Sequence, residues 1–453
     1  MSNQSIGRRL AGALAVVLLL AMLGPVTSAR AAASGDAAFL AAVTAGLAKR
    51  WQGSQAIVVR ADGENGPGDT MWLMEKTAGK WRVAAGPWRA NVGKNGVSKA
   101  AEGDGRSPSG AFLLGTAFGW AAAPQYVKWP YRRTDSLDRW VDDGKSPYYN
   151  RWVRGSVSAT GSGEALQRIS LYKHAIAVHY NDEGIKGKGS AIFLHIWSGL
   201  GVGTLGCTSM SEANLVKTLR WLRYERRPLL VQGTQKQILS LMGRTWGIAC
   251  LPQGWGYVDD FIPDAQADLR YATSNNFTGA KLPGYGTPVM VMRTDAIAAL
   301  SRAAGKLRTK GYGIRVLDAY RPPQAVAAMV AWAKNADQST KARYYPNISK
   351  SSLLNGYISA TSSHTAGGTV DLSVISWSTG RFIDMGGTFD FFGSRSHYSY
   401  SGLTAKQAAN RKLLRDAMGS AGFTPFSKEW WHFSRAATGK GSFTLLPRQT
   451  LAK

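Results

Sequence analysis

Two cysteines in 453 residues, Cys207 and Cys250, are too few for a disulfide scaffold. They could pair with each other, and spacing alone leaves that open. Long apolar runs are equally scarce. The run over residues 10–23 is shorter than the roughly 20 residues a membrane span needs, and no later stretch of that length is free of charge. Internal repeats and low-complexity tracts are missing, and Gly and Pro are scattered, which excludes collagen-like, coiled-coil and largely disordered chains. Acid is in short supply, with 28 Asp+Glu against 55 Lys+Arg. What is present, 44% hydrophobic and 10% aromatic residues, suffices for a sizeable core divided among more than one domain.

The net charge is +27, and removing residues 1–31, which hold three arginines and no acid, leaves +24. Of this, +10 lies in residues 32–233 and +14 in 234–453. An excess spread over both halves suits an anionic surrounding polymer better than one local binding stripe. The N-terminus points outward: Arg8-Arg9, the apolar run, Gly24-Pro25 and then Ala29-Arg30-Ala31 form the pattern of a secretory signal over residues 1–31. The expectation is an exported protein, in a periplasm or cell wall, with no transmembrane span, no nucleic-acid partner and an anionic envelope polymer as a possible one. An uncleaved anchor is the alternative.

Residues 50–233 are expected to be mostly β. Short β-rich runs at 55–60, 70–75 and 81–85 alternate with Gly/Asp/Asn turns, residues 116–168 read as long excursions, and 170–180 and 191–197 are strand-like. Residues 211–223 are helical, with Leu215, Leu219 and Leu222 on one face, and 229–231 close the unit. A linker follows at 234–254, with a Gly/Pro/Trp-rich turn at 247–256. The unit at 255–435 is expected to be α+β: a helix from Thr294 to Lys310, a strand at 314–319, a helix at 323–334, and a helix opened by the capping box Thr404/Gln407. Residues 436–453 form a C-terminal tail.

One candidate constellation is a thiol with a histidine. A strand carrying His195 feeds a glycine-rich loop that delivers Cys207 ahead of a helix. A cysteine nucleophile needs an imidazole or a helix N-terminus to ionise it near neutral pH, and both are expected within reach. Amides after Cys207 could then hold an oxyanion. Two other readings stay open: Gly201 to Gly206 matches the G-x-G-x-x-G fingerprint of dinucleotide sites, and Cys207 could be a buried structural residue. The stretches Gly105-Arg-Ser-Pro-Ser-Gly-Ala-Phe112, Phe193-Leu-His195 and Gly206-Cys207-Thr-Ser-Met210 together resemble the YkuD-type L,D-transpeptidase catalytic domain. The resemblance implies attack on peptidoglycan stem peptides through a cysteine thioester, with Cys207 as nucleophile and His195 as acid/base. Leu205 stands where the commoner pattern of that family has histidine.

The second constellation combines His364, Asp371, Glu429 and His432. A catalytic zinc takes three N/O ligands and keeps a position open, so His364, Asp371 and His432 suffice. Glu429 is left as general base, and Arg321 offers a cation to a developing oxyanion. Either fragment alone is as readily a structural feature. Together with Ala272-Thr-Ser-Asn-Asn-Phe-Thr-Gly279, Asp318-Ala-Tyr-Arg-Pro322 and Gly387-Thr-Phe-Asp390, they resemble the VanX-type D-alanyl-D-alanine dipeptidases. That resemblance implies a compact α+β zinc fold with one Zn2+ bound by His364, Asp371 and His432, Glu429 as base and Arg321 stabilising the transition state. The joint expectation is an exported bifunctional enzyme acting on stem peptides and on D-Ala-D-Ala. A wall-binding protein with one or both sites inactive is the alternative.

Overall fold

The computed structural model describes residues 24–248, 250–437 and 439–450. Most of the expected leader therefore lies outside the described residues. A helix, Gly24–Arg50, enters the first domain and buries Phe39, Val43 and Leu47, spaced four apart on one face, against Trp72 and Met74. Among the described residues no helix is long and apolar enough to cross a membrane.

The first domain is a β-barrel. Its nine strands run in the order Leu229–Thr234, Gln55–Ala61, Gly68–Thr77, Lys80–Asn91, Thr208–Met210, Phe193–Ile196, Ala175–Val178, Gly110–Gly119 and Tyr131–Arg133. Pairing of Leu229–Thr234 with Gly110–Gly119 closes the ring, and Ile57, Val59, Met71, Leu73, Leu114, Ile176 and Leu194 fill it. Ser211 caps the helix Glu212–Trp221, which buries Leu215 and Leu219. The excursion folds into a small sheet of Asp138–Val141, Trp152–Arg154 and Gly163–Ala165, whose Trp152 packs in one cluster with Phe193 of the strand carrying His195 and with Cys207. The sequence reading stopped its β pattern near residue 115. It missed the second half of Gly110–Gly119 because that segment, buried on both faces, shows no polar alternation.

The second domain has a five-stranded sheet ordered Gln266–Ala267, Tyr312–Asp318, Thr369–Ser376, Glu429–Ser434 and Thr424–Phe426. The helix Thr294–Arg308 contributes Ile297, Leu300 and Leu307 to its core, and Ala405–Ser420 contributes Leu414 and Met418. The Thr404/Gln407 capping box is formed as expected, and the helix expected from Thr294 to Lys310 begins at Thr294 and ends at Arg308.

The two domains are joined by buried ion pairs. Asp260 accepts from Tyr224 Oη at 2.6 Å and lies 2.9 Å from His179 Nε2, while Arg448 reaches His179, Asp259 and Asp260. Arg308 makes a two-pronged bond to Asp264, and Arg132 of the barrel approaches the same carboxylate at 3.7 Å. The C-terminal residues are thus integral: Phe443 stacks on Tyr320, and Gln449–Thr450 pairs with Gly247–Ile248.

Asp69 is the exception to this compensation. It is fully buried in the barrel, neither carboxylate oxygen has a hydrogen-bond partner, and burial, aided by Asp62, raises its pKa from 3.8 to about 9. Such a group is harmless below its unfolded pKa of 3.8 and costs progressively more stability as the pH climbs toward about 9. Asp69→Asn is therefore expected to raise the thermal midpoint near pH 7.5 by several degrees, with the gap closing by about pH 4, as read by calorimetry at both pH values.

Candidate active sites

Strand register builds the second-domain site. Asp318 pairs with Asp371, and Asp371 with His432, so three neighbouring strands place these side chains in one row on one sheet face. His364 arrives from the turn Ser363–Ala366, whose start is fixed by Ser362 Oγ accepting from the His364 amide. The turn ends at Gly367, with φ +79°, where a Cβ would strike the Trp255 ring at 2.4 Å; only glycine fits.

The ligand atoms converge. His364 Nε2 lies 3.3 Å from Asp371 Oδ2 and 3.4 Å from His432 Nδ1, and His432 Nδ1 lies 3.0 Å from Asp371 Oδ1. Bonds of about 2.0–2.2 Å to a tetrahedral ion would separate its ligand atoms by roughly 3.3–3.5 Å. Asp371 Oδ1 is buried without a hydrogen bond, as expected of an oxygen whose partner is a cation. Both imidazoles are held from behind: His364 Nδ1 donates to Ala319 O at 2.7 Å, leaving Nε2 as a lone pair, and His432 Nε2 has Ser434 Oγ at 3.1 Å. The residues fit a single zinc ion.

Charge around this centre is sorted by burial and pairing. Burial opposes ionisation of Asp371, but His364 and His432 overcome it and hold the carboxyl well below the usual range. Arg321 is buried, yet Asp318, 2.9 Å from its Nε, keeps it charged. Asp318 also accepts from Tyr285 Oη at 2.6 Å. Glu429 Oε2 lies 3.7 Å from His432 Nδ1, and burial, with Asp371 adding to it, raises Glu429 to about 7, suited to a group that takes and returns a proton.

Two residues quoted within motifs but given no role belong to the site. Asp318 orients Arg321. Asp390, 3% exposed, accepts from Tyr271 Oη through one oxygen and leaves the other unpartnered. Its φ of +61° is a strained conformation for a residue with a Cβ, costing about 1–2 kcal/mol. Sequence offered only Asp390's place in a resembling stretch.

The first-domain site is different. His195 lies opposite Ser209 on adjacent parallel strands, and Cys207 precedes the second of them. No hydrogen bond joins the two among the described residues. Cys207 Sγ donates to Ala191 O and accepts from Phe193 N, both at 3.3 Å, beneath the buried Trp152 and Tyr172. His195 Nδ1 is bonded to Ile196 O at 2.7 Å, and burial lowers the ring's pKa. Burial, with the Glu164 carboxyl nearby, pushes the Cys207 thiol up to about 12. The expected helix N-terminus is absent from the thiol because Thr208–Met210 is a strand and the helix starts only at Glu212. The same strand removes the dinucleotide-site reading, which needs a helix opening at the loop. Cys207 and Cys250 are both free thiols.

The sheet, the row of converging His and Asp side chains and the adjacent Glu429 form the kind of site that could hold one metal ion and support hydrolysis. Residues 253–450 match the family model described as D-Ala-D-Ala dipeptidase. The chain is 36% identical over 182 residues to the D-alanyl-D-alanine dipeptidase of Enterococcus faecium, covering 40% of this chain and 90% of the relative. It is 38% identical over 186 residues to that of Enterococcus faecalis, covering 40% and 92%, and 31% identical over 172 residues to that of Escherichia coli, covering 38% and 79%. Through this region the chain belongs to the D-alanyl-D-alanine dipeptidase family, whose members are in general zinc enzymes. The family match begins at residue 253 and does not include the first domain.

Purified protein is expected to carry roughly one zinc per chain by elemental analysis. His364→Ala and His432→Ala should lose most of it while His174→Ala, in the barrel, retains it. Chelation should lower the thermal midpoint of the wild type.

Proposed function

We propose that residues 253–450 hydrolyse the dipeptide D-Ala-D-Ala. The observation that carries this reading is the convergence of His364 Nε2, an Asp371 oxygen and His432 Nδ1 within 4.8 Å of one another, with Glu429 alongside. Zinc held there would supply Lewis-acid polarisation of the scissile carbonyl and acidify a water. Glu429 takes the proton released as water adds to the carbonyl carbon, and returns it to the departing amine when the C–N bond breaks, yielding two amino acids. Arg321, held by Asp318, faces the negative charge that develops on the carbonyl oxygen. Asp390, with one unmet oxygen among these groups, suits the substrate's ammonium. Glu429→Gln should lower kcat by roughly 10²–10⁴-fold, measured as free D-Ala by mass spectrometry, with bound zinc retained.

For the first domain we infer cysteine-dependent L,D-transpeptidation or L,D-carboxypeptidation of stem peptides. The motif resemblance and the placing of His195 on a strand adjacent to the one that Cys207 directly precedes support it. In the conformation described the thiol is closed, so the sheet at 138–165 would have to lift before a stem could reach it. Cleavage of a pentapeptide stem after its L-centre would release D-Ala-D-Ala, the substrate of the second domain. Pentapeptide stems should then give free D-Ala with wild type, accumulated D-Ala-D-Ala with Glu429→Gln, and neither with Cys207→Ala. Failure of the dipeptide to accumulate removes this reading and favours a wall-binding role for the barrel.

A further inference from the structure

A free dipeptide differs from an internal peptide segment in its two termini, an ammonium and a carboxylate, each one residue from the reacting carbonyl. A centre that selects it needs a charge of either sign close to the base and ligands. Asp390 offers an unpartnered buried oxygen as acceptor for the ammonium. Among the described residues Arg321 and Lys428 are cations whose charge acts on Glu429. Arg321 is already assigned: it bonds Asp318 through Nε at 2.9 Å, lies 3.5 Å from Asp371, and stacks over the Tyr271 ring at 5.0 Å. Held there, it is the cation proposed to face the oxyanion, so the C-terminal carboxylate calls for another.

Lys428 is not committed. It is half-buried, directly precedes Glu429, and has no carboxylate in ion-pair contact among the described residues. Its Nζ sits 5.1 Å over the centre of the Tyr357 ring, and Tyr357 Oη is anchored 2.9 Å from His397 Nε2. A Cβ on Gly356 would come within 2.7 Å of that Nζ, so the glycine leaves room for the ammonium. From Tyr357 the chain passes through exposed residues 359–361 to ligand His364. The ammonium is thereby held between the strand bearing the base and the segment Gly356–Tyr357, which leads on to the turn bearing a ligand. An aromatic face attracts a cation without neutralising it, which leaves the charge available to a ligand.

We propose that Lys428 is the specificity residue for the substrate's C-terminal carboxylate, making this a site for short peptides with a free C-terminal acid. This rests on the dipeptidase reading. A charge-assisted contact of this kind gives roughly 10–100-fold discrimination.

The test compares wild type, Lys428→Met and Lys428→Arg on D-Ala-D-Ala and on its C-terminal amide, with zinc content measured for each protein. The expected result is a wild-type preference for the acid of roughly 10–100-fold in kcat/KM, carried mainly by KM, that collapses in Lys428→Met and largely returns in Lys428→Arg. A purely structural role, or one acting through Glu429, would lower acid and amide turnover together and keep their ratio; that outcome overturns the proposal. So does an unchanged preference in Lys428→Met. Wild type that cleaves neither substrate while holding zinc overturns the dipeptidase reading itself.

Discussion

The pairing of three strands, Tyr312–Asp318, Thr369–Ser376 and Glu429–Ser434, is the constraint on which the second domain's chemistry depends. Because side chains alternate between sheet faces, a one-residue slip of either pair would turn Asp371 or His432 into the opposite layer. Register is secured by the residues between the ligands. Val370, Leu372, Val374 and Phe433 are fully buried in the core, so the slip that dismantles the site would also expose this apolar set. Stability and ligand geometry are therefore selected by the same pairing. The residual charges are handled in sequence: Tyr285 and Arg321 satisfy Asp318, Arg321 leans on Asp371, and Ala319 O and Ser434 fix the two imidazoles.

Much of this was legible in the amino-acid sequence because ligands and their offsets are local chemical statements. His364, Asp371, Glu429 and His432 sit in short motifs, and the structure brings them together. Arg321 was legible as a cation at a strand end, but Asp318's hold on it depends on a buried contact that spacing does not reveal. Asp390 was harder still, since its role arises from a left-handed turn and a distant tyrosine, Tyr271. The Thr404/Gln407 capping box and the helix Pro323–Lys334 came through because their signals lie within one turn of chain. Barrel closure did not, as pairing of Leu229–Thr234 with Gly110–Gly119 joins segments over a hundred residues apart. The contact of His179 with Asp260 at the joint between the domains is invisible to spacing for the same reason.

That joint gives the C-terminal segment a double attachment. Phe443 lies on Tyr320, two residues beyond Asp318, and Gly441 N donates to Thr365 O beside His364. Five residues past Phe443, Arg448 is buried between Asp259, Asp260 and the barrel's His179. An arginine with several buried carboxylates is costly to separate from them, since each would be left as an unpaired charge in a low-dielectric setting. The segment therefore ties the floor of the metal centre to the barrel wall, and the two domains meet through matched charges rather than through a flexible linker.

Burial acts in opposite directions on the two proposed chemistries. At the second site it favours function: the ligands need lone pairs aimed at one point, and exclusion of water strengthens their attraction for a cation while raising Glu429 into the range of a working base. At the first it works against function, because a thiol must ionise to attack, and low dielectric disfavours the thiolate. The Phe193 amide and the charge of Lys99 favour the thiolate but do not offset burial in the closed arrangement, where Glu164 adds negative charge, burial disfavours a charged His195, and the thiol proton is given to Ala191 O. A nucleophilic Cys207 therefore requires a rearranged surrounding in which the 138–165 sheet no longer covers it, whereas the metal centre needs no movement beyond ligand entry.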